Sequence, residues 1–388
     1  MKRIALLLIV LGLAPGCDEK PPPAVKFGRC HHLEIIDAET GAPVRGLEDM
    51  AVSADGRWAV ASSYDRWGTE DAVRLNKTAL PQGGIYLVPL DDKKLSGTQI
   101  RLTNKAAAFS RNHDFHPHGL DLQSGPDGVQ TLAVVNRSYA RPSPAAPWQL
   151  TTTLEVFTVK DQSLRHKTSV TSDRLCRGND VLAVSADTFL VSRDHGACGG
   201  LGEVAENVLA LERSKLLRIS LAGRDAQSSK VALAADGLAF ANGLAFDAAQ
   251  GIVYVAATRG HQILAYRLSD LLQAPPATPL KEFFTKSAPD NLSWAPGGAL
   301  VIALHPSLWR MGFYRKRWWG GARAPSEIAA LNLTDGTLTP LFSDPTGTRF
   351  SAATIGISTG RLLLAGSVAA PGLMVCRVAQ NALSQGEF

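Results

Sequence analysis

Residues 48–61 read EDMAVSADGRWAVA, in which two acidic residues open an apolar run and the turn Ala54-Asp55-Gly56 leads into a second run at Trp58. Two short apolar runs joined by a tight polar turn predict a β-hairpin. The acidic pair stands at the head of the first strand. This hairpin with a polar head is the unit from which the fold is predicted.

The same unit recurs along the chain, at a spacing of about 50 to 70 residues. Equivalent openings are His118-Gly119-Leu120, Asn179-Asp180-Val181, Asn242-Gly243-Leu244 and Asp290-Asn291-Leu292, with a less clear sixth near Ala353-Thr354-Ile355. Further apolar strands follow in each unit, so each unit is expected to form a small antiparallel sheet. Six such sheets cannot bury both faces alone and are expected to pack radially round a channel. The sequence therefore predicts an all-β, six-bladed β-propeller closed by the chain termini, with a β-sandwich as the main alternative.

The N-terminus has the form of an export signal. Lys2 and Arg3 precede an apolar run over residues 4–13 that is too short to span a bilayer. The residues up to Cys17 resemble a bacterial lipoprotein cleavage site, which implies a lipid on Cys17. We predict a signal peptide over residues 1–16, a lipidated Pro-rich tether over 17–29 and the propeller over 30–388. The protein would be anchored in the bacterial cell envelope and face the periplasm, or be secreted if Cys17 carries no lipid.

Four cysteines remain after Cys17, namely Cys30, Cys176, Cys198 and Cys376. An even number in an oxidising compartment allows two disulfides. Cys30 and Cys376 are placed to close the ring, and Cys176 with Cys198 could pin a loop. Four free, buried thiols are the alternative.

The polar heads of the repeats are expected to meet. In a propeller the first strand of every blade lines the channel, so equivalent strand starts converge at one end of the axis. The converging groups present carboxylate and amide oxygens, which Ca²⁺ selects: Glu48, Asn179, Asn242, Asp290 and Asn291. Without a cation, these groups would leave desolvated charges and unpaired dipoles. The alternative treats each one as an ordinary turn residue before a strand.

These heads and their neighbours resemble the paraoxonase/arylesterase family, which is related to gluconolactonases and strictosidine-synthase-like propellers. The resemblance runs in order from Cys30 to Cys376 and rests on Leu47-Glu48-Asp49, Phe115-His116-Pro117-His118-Gly119-Leu120, Val134-Val135-Asn136, Gly178-Asn179-Asp180, Asp194-His195, Phe240-Ala241-Asn242-Gly243, Asp290-Asn291-Leu292-Ser293 and His305-Pro306. It implies two Ca²⁺ ions. The five residues above would hold a catalytic ion, and Asp49, Asp180 and the backbone carbonyl of Leu120 would hold a structural one.

The resemblance also implies roles for residues beside the metal. His118 matches the family's proposed general base, which would activate water while Ca²⁺ polarises the carbonyl; a histidine hydrogen-bonded in the channel wall is the alternative. His195 and His305 match pocket histidines that would orient substrate. Arg137 departs from the family, which has a second histidine of a proposed dyad there, and arginine cannot act as a base. Arg137 is expected in the substrate pocket, binding a product carboxylate or lowering the pKa of His118, or else on a surface loop.

The predicted function is calcium-dependent hydrolysis of a small lipophilic lactone or aryl ester. Long connections over residues 62–83, 137–150, 194–215 and 306–325 are expected to form a lid, with Trp309, Arg315 and Trp318 as a pocket rim or membrane-contacting surface. A gluconolactonase-type sugar-lactone hydrolase and a non-catalytic, calcium-stabilised binding propeller remain open. The net charge of +5 comes from scattered basic residues, so no nucleic acid partner is expected, and the oligomeric state is not fixed by the sequence.

Overall fold

In a computed structural model the chain forms six small β-sheets arranged as the blades of a propeller, which confirms the predicted fold. The structure describes residues 27–125, 128–222, 229–273, 276–318 and 320–378. The predicted signal peptide and Cys17 lie outside these residues. The first strand begins at Phe27, inside the segment predicted as the tether.

The blades are numbered in chain order. Blade 1 contains strands Leu47–Val52, Trp58–Ser63 and Gly84–Pro89. Blade 2 contains Pro117–Ser124, Gln130–Asn136, Thr153–Lys160 and Ser163–Thr171. Blade 3 contains Gly178–Ala183, Thr188–Arg193, Ser214–Ser220 and Lys230–Leu238. Blade 4 contains Ala241–Asp247, Ile252–Ala257, Gln262–Arg267 and Lys281–Phe284. Blade 5 contains Ala288–Trp294, Leu300–His305, Ser326–Leu331 and Leu338–Asp344.

Blade 6 is built from both ends of the chain. Its strands Ala353–Ser358, Leu362–Ser367 and Leu373–Val378 continue into the N-terminal strand Phe27–Asp37, which also pairs in parallel with Gln99–Leu102. Cys30 and Cys376 are directly paired across the ladder and form a disulfide. The ring is therefore closed both by backbone hydrogen bonds and by a covalent bond, as the cysteine positions suggested.

Six apolar clusters lie between the blades, one at each interface, and a seventh surrounds Tyr314 and Val368. Alternate residues of one strand enter different clusters. Trp58 and Val60 pack towards blade 2, whereas Ala59 and Ala61 pack towards blade 6. Because the second strand of each blade is buried on both faces, it is almost uninterruptedly apolar, which explains the run WAVA.

The inner strands form a closed ring, in which each contacts the inner strands of its two neighbours. The helices lie in the connections: α1 (Arg66–Arg74), α2 (Ala107–Ser110), α3 (Gly200–Leu209), α4 (Leu268–Leu271) and α5 (Leu308–Lys316). Short 3₁₀ turns occupy Lys94–Ser96, Asp173–Leu175 and Thr258–Gly260, and a small hairpin pairs Tyr139–Ala140 with Gln149–Leu150. Within the described ranges, no helix has the length and apolar character needed to cross a membrane.

Candidate active site

A β-bulge lies near the start of the inner strand in blades 1 to 5, where two consecutive residues oppose one residue of the next strand. The bulged pairs are Glu48 and Asp49, His118 and Gly119, Asn179 and Asp180, Asn242 and Gly243, and Asp290 and Asn291. In blade 6 the irregularity contains only Thr354. The polar heads of the repeat thus leave the ladder at the same place in every blade.

The first residue of each pair lies at one end of the channel. A cavity of about 170 Å³ is lined by Glu48, His118, Asn179, Asn242 and Asp290, all of them buried. Asn291 does not line this cavity, but its Nδ2 donates to the backbone oxygen of Glu48 at 3.1 Å. The five residues predicted as ligands of the catalytic ion are therefore brought together.

Three asparagines in this group are oriented through their amide nitrogens. Nδ2 of Asn179 donates to Asp194 Oδ2 at 3.4 Å, and Nδ2 of Asn242 donates to Asp290 Oδ1 at 2.5 Å. With Nδ2 of Asn291 bound to Glu48, the amide oxygen of each asparagine is buried and has no hydrogen-bond partner among the described residues. Each unpaired buried oxygen costs about 1–3 kcal/mol. Amide oxygens are ligands that a hard cation accepts, so the donor set fits calcium.

The second residues of the pairs in blades 1 and 3 lie further along the channel, on a separate cavity of about 300 Å³. Asp49 Oδ2 accepts the N–H of Leu120 at 2.8 Å, and Asp180 Oδ2 accepts the N–H of Leu244 at 2.7 Å. Burial raises the pKa of Asp49 and of Asp180 well above the ordinary value; Glu48 adds to this effect at Asp49, and Asp49 adds to it at Asp180. A cation between them would relieve this repulsion.

Neither predicted calcium set contains more than two carboxylates. Accordingly, across the described residues no three side chains of Asp, Glu, His or Cys form a metal site by themselves. Any cation in the channel would depend on amide and backbone oxygens, which are typical calcium ligands.

His118 lies against Glu48, with Nδ1 2.6 Å from Oε2, although the angle is not that of a hydrogen bond. Burial and the positive charge of Arg137 lower the pKa of His118 to about 4, while Glu48 opposes the shift. Burial opposes ionisation of Glu48, but His118 and Arg66 lower its pKa below the ordinary value. At neutral pH the imidazole is therefore uncharged beside a carboxylate, and a neutral imidazole can accept a proton.

Arg137 is buried in the cavity wall and is not a surface residue. Its Nη2 donates to Asp194 Oδ2 at 2.7 Å and its Nε to the backbone oxygen of Gly178 at 3.3 Å. Asp194 Oδ1 lies 2.6 Å from His195 Nδ1, and His195 Nε2 lies 2.7 Å from Asn207 Nδ2. His195 is not among the residues that line the cavity. It contacts Asp194, and Asp194 in turn forms an ion pair with Arg137.

His305 lines the cavity as expected, with Nε2 2.6 Å from Asp290 Oδ2. The wall also contains residues that were not predicted, among them Thr354 and Arg66. Thr354 donates its hydroxyl to the backbone oxygen of Glu48 at 2.7 Å, and the weak sixth repeat start was the signal for it. Arg66 lies in a connection outside the repeat, so no periodic signal could have located it.

All four long connections contribute to the cavity wall. Their contributions include Arg66 on α1, Arg137, Asn207 on α3 and Arg315 on α5. The connection that carries α3 is fastened by the Cys176–Cys198 disulfide, so the second predicted pair is also present. Arg177 forms an ion pair with Glu203 of α3. Trp309 and Trp318 are 63% and 58% exposed, while Trp319 lies outside the described residues.

Helices α1 and α5 contact each other over one side of the cavity. Trp67 Nε1 donates to the backbone oxygen of Arg315 at 3.0 Å, and the rings of Trp67 and Tyr314 lie 5.1 Å apart, edge to face. Lys316 Nζ lies 3.2 Å from Glu70 Oε2. The two helices form one packed unit that fixes the position of Arg66 and Arg315.

Comparison with known proteins agrees with this architecture. The serum paraoxonase/arylesterase 1 of Rattus norvegicus is 26% identical over 371 residues, which cover 94% of this chain and 96% of the relative. The Homo sapiens protein of the same name is 25% identical over 320 residues, covering 81% and 82%. A crystal structure of a Dyadobacter fermentans protein of unknown function aligns with a TM-score of 0.51 at 10% identity, covering 92% of this chain and all of that chain, and shows the fold alone. The arylesterase family model matches residues 75–376, more than half of the chain, and the chain therefore belongs to the arylesterase family.

Proposed function

We propose that the protein is a calcium-dependent hydrolase of lactones or aryl esters. Family membership supports a hydrolase of this kind. The observation that carries the proposal is the set of three buried amide oxygens, from Asn179, Asn242 and Asn291, beside the carboxylates of Glu48 and Asp290. These residues would hold the first calcium ion. Asp49, Asp180 and the backbone of Leu120 would hold the second, whose role is structural.

A calcium ion bound by the first set would supply a positive charge that polarises the carbonyl of an ester or lactone. The protein's own residues would handle the proton. Nδ1 of His118 lies 2.6 Å from Oε2 of Glu48, so we assign to Nε2 the role of accepting a proton from water in the cavity. Arg137, which is held in place by Asp194, lowers the pKa of His118. A single histidine would thus take the role of the base.

The test combines metal analysis with a substrate panel. Purified protein is expected to contain calcium, and hydrolysis of aliphatic lactones, aryl esters and gluconolactone is measured with and without EDTA. His118→Gln should lower kcat by about 10²–10⁴-fold without loss of bound calcium. His113→Gln is the matched control, because His113 is exposed and does not line the cavity.

Each alternative gives a distinct result in this panel. Turnover of gluconolactone alone would indicate the sugar-lactone hydrolase. Bound calcium without turnover of any ester or lactone, and with His118→Gln indistinguishable from the parent, would indicate a binding propeller. A folded protein that contains no calcium would refute the proposed mechanism.

We also propose that the protein is anchored in the bacterial cell envelope through a lipid on Cys17, with a small lipophilic substrate. Apolar side chains on the helices that flank the cavity are consistent with a surface near lipid: Leu201 and Val208 of α3 are 88% and 72% exposed, and Trp309 of α5 is 63% exposed. Cys17→Ala should move the protein from the membrane fraction to the soluble periplasmic fraction. Unchanged fractionation would exclude the lipid as the anchor.

A further inference from the structure

The cavity wall carries more positive than negative side chains. It contains four arginines, Arg66, Arg137, Arg259 and Arg315, against three carboxylates. Two of the arginines are engaged within the protein: Arg137 pairs with Asp194, and Nη2 of Arg259 donates to Asn207 Oδ1 at 3.3 Å. The bound calcium of the proposed function would add further positive charge.

Arg66 is different, because it is 97% buried and poorly partnered. Its exposed fraction is 3%, and its Nε and Nη2 have no hydrogen-bond acceptor in the described part of the chain. Its guanidinium carbon lies over the ring of Tyr64, 5.1 Å from the centroid. Buried guanidinium N–H groups without acceptors are costly, and an anion in the cavity would supply acceptors for them.

Arg315 lies close to Arg66, but its side chain is only partly buried, with an exposed fraction of 33%. Burial and the nearby guanidinium groups of Arg66 and Arg137 lower the pKa of Arg315. Its Nε has no acceptor among the described residues, and its Nη2 is 3.9 Å from Glu70 Oε1, a carboxylate that Lys316 approaches more closely. Arg66 and Arg315 therefore place unused N–H donors in one part of the wall.

The scaffold keeps these two groups in position. Asp65 caps α1 by accepting the N–H of Gly68 at 3.0 Å, so Arg66 stands in the first turn of an anchored helix. The contact from Trp67 to the backbone of Arg315 ties that turn to α5. Two like charges would separate if they were free, and here the packing of α1 on α5 prevents it.

We propose that the pocket recognises a lactone or ester that carries a carboxylate remote from the reacting carbonyl, and that Arg66 and Arg315 bind this carboxylate. The inference rests on the proposed function and names its substrate class. Guanidinium groups match the planar carboxylate and form paired, charge-assisted hydrogen bonds with it. The carboxylate would supply the acceptor that Arg66 lacks inside the protein.

The first test compares two lactones that differ only in one group, γ-carboxy-γ-butyrolactone and γ-valerolactone. Hydrogen bonds to charged groups predict a kcat/KM about 10- to 100-fold higher for the carboxylated lactone. Arg66→Gln and Arg315→Gln should each remove most of this preference, measured as the ratio of kcat/KM for the two lactones in the same variant. Arg57→Gln is the control, because Arg57 lies on an exposed turn of blade 1 and pairs with Asp55.

The pattern of results separates this binding role from others. If the arginines bound the carboxylate newly formed on hydrolysis, both lactones would suffer equally in the variants. If the bound calcium captured the substrate carboxylate, the preference would survive in both variants. Turnover of both lactones by the parent protein without any preference would overturn the substrate class and leave the hydrolase assignment intact.

A binding measurement covers the case in which no lactone is hydrolysed. Pyroglutamate and γ-valerolactam are lactam analogues of the same pair, and their binding to the calcium-loaded protein is measured by calorimetry. Pyroglutamate should bind at least about tenfold more tightly, and Arg66→Gln should abolish the difference. Selective binding without hydrolysis would refute the hydrolase function and keep the carboxylate site; equal or absent binding of both lactams would refute the site.

Discussion

The Cys30–Cys376 disulfide should stabilise the protein more than the Cys176–Cys198 disulfide, because it closes a much longer loop. The two bonds span 346 and 22 residues in sequence. In the chain-entropy treatment, a crosslink removes 2.1 + 1.5R ln n cal/mol/K from the unfolded state, which gives about 5.8 kcal/mol for the first bond and about 3.4 kcal/mol for the second at 25 °C. The predicted difference is therefore about 2.4 kcal/mol.

The assay is denaturant unfolding of two double variants, Cys30→Ala with Cys376→Ala and Cys176→Ala with Cys198→Ala. Each variant is compared with the parent under oxidising conditions and at saturating calcium. Cys376 is buried between blades 5 and 6, so a further loss from packing would add to the larger of the two values. Equal losses, or a larger loss from the Cys176–Cys198 pair, would show that the ladder between the terminal strands already holds the ring closed.

Three further outcomes follow from the channel and the blades. Gly119→Ala should destabilise the protein by about 3 kcal/mol or more, because the new Cβ would lie 2.5 Å from the backbone oxygen of Asn179. Gly97→Ala is the control in the same thermal melts. It should be nearly neutral, because its Cβ would have no neighbour nearer than 3.6 Å. Chelation of calcium should lower Tm, since calcium at 100 times its Kd adds about 2.7 kcal/mol to the free energy of unfolding. Calorimetry should show that Tm recovers on addition of calcium but not of magnesium. An unchanged Tm after chelation would exclude a structural ion. Burial opposes ionisation of Asp344, but the backbone N–H groups of Phe350 and Arg349 outweigh it and lower its pKa below 3.8. The contribution of Asp344 to the free energy of unfolding is therefore present above about pH 4 and is lost as the pH falls through the depressed pKa of the folded state. Asp344→Asn should be less stable than the parent at neutral pH, and its stability should depend less on acid pH. Urea unfolding at several pH values measures both effects.

The fold could be predicted because its physical cause is local and repeated. An inner strand buried on both faces of its blade is mostly apolar, and a polar pair has no place in such a strand unless it leaves the ladder. The bulges at Glu48, His118, Asn179, Asn242 and Asp290 satisfy this condition. The residues that we propose as calcium ligands could therefore be predicted from their position in the repeat.

The rest of the wall could not be read in this way, because it comes from connections that do not repeat. Helices α1 and α5 are short and were expected only as parts of lid loops, and Arg66 belongs to the first. The partner of Arg137 could not be predicted from the sequence either. Asp194 is 57 residues away and is brought close only by the packing of blade 3 beside blade 2. A resemblance supplied His195 as a pocket residue, and the geometry instead places it behind Asp194.

The second residues of the bulged pairs follow a regular pattern around the ring. Around the ring it reads Asp49, Gly119, Asp180, Gly243 and Asn291, so aspartate and glycine alternate through the first four blades. Each aspartate accepts the N–H that follows the glycine of the next blade, and each glycine approaches the backbone of the blade after it too closely for a Cβ. The glycines permit the inner strands to converge, and the aspartates are thereby buried together at a point where their charges repel. The same alternation thus accounts both for the close packing of the ring and for the cation site proposed between the two aspartates. If calcium binds there, a substitution that opens the ring at Gly119 should weaken its binding even though glycine has no side chain to bind it.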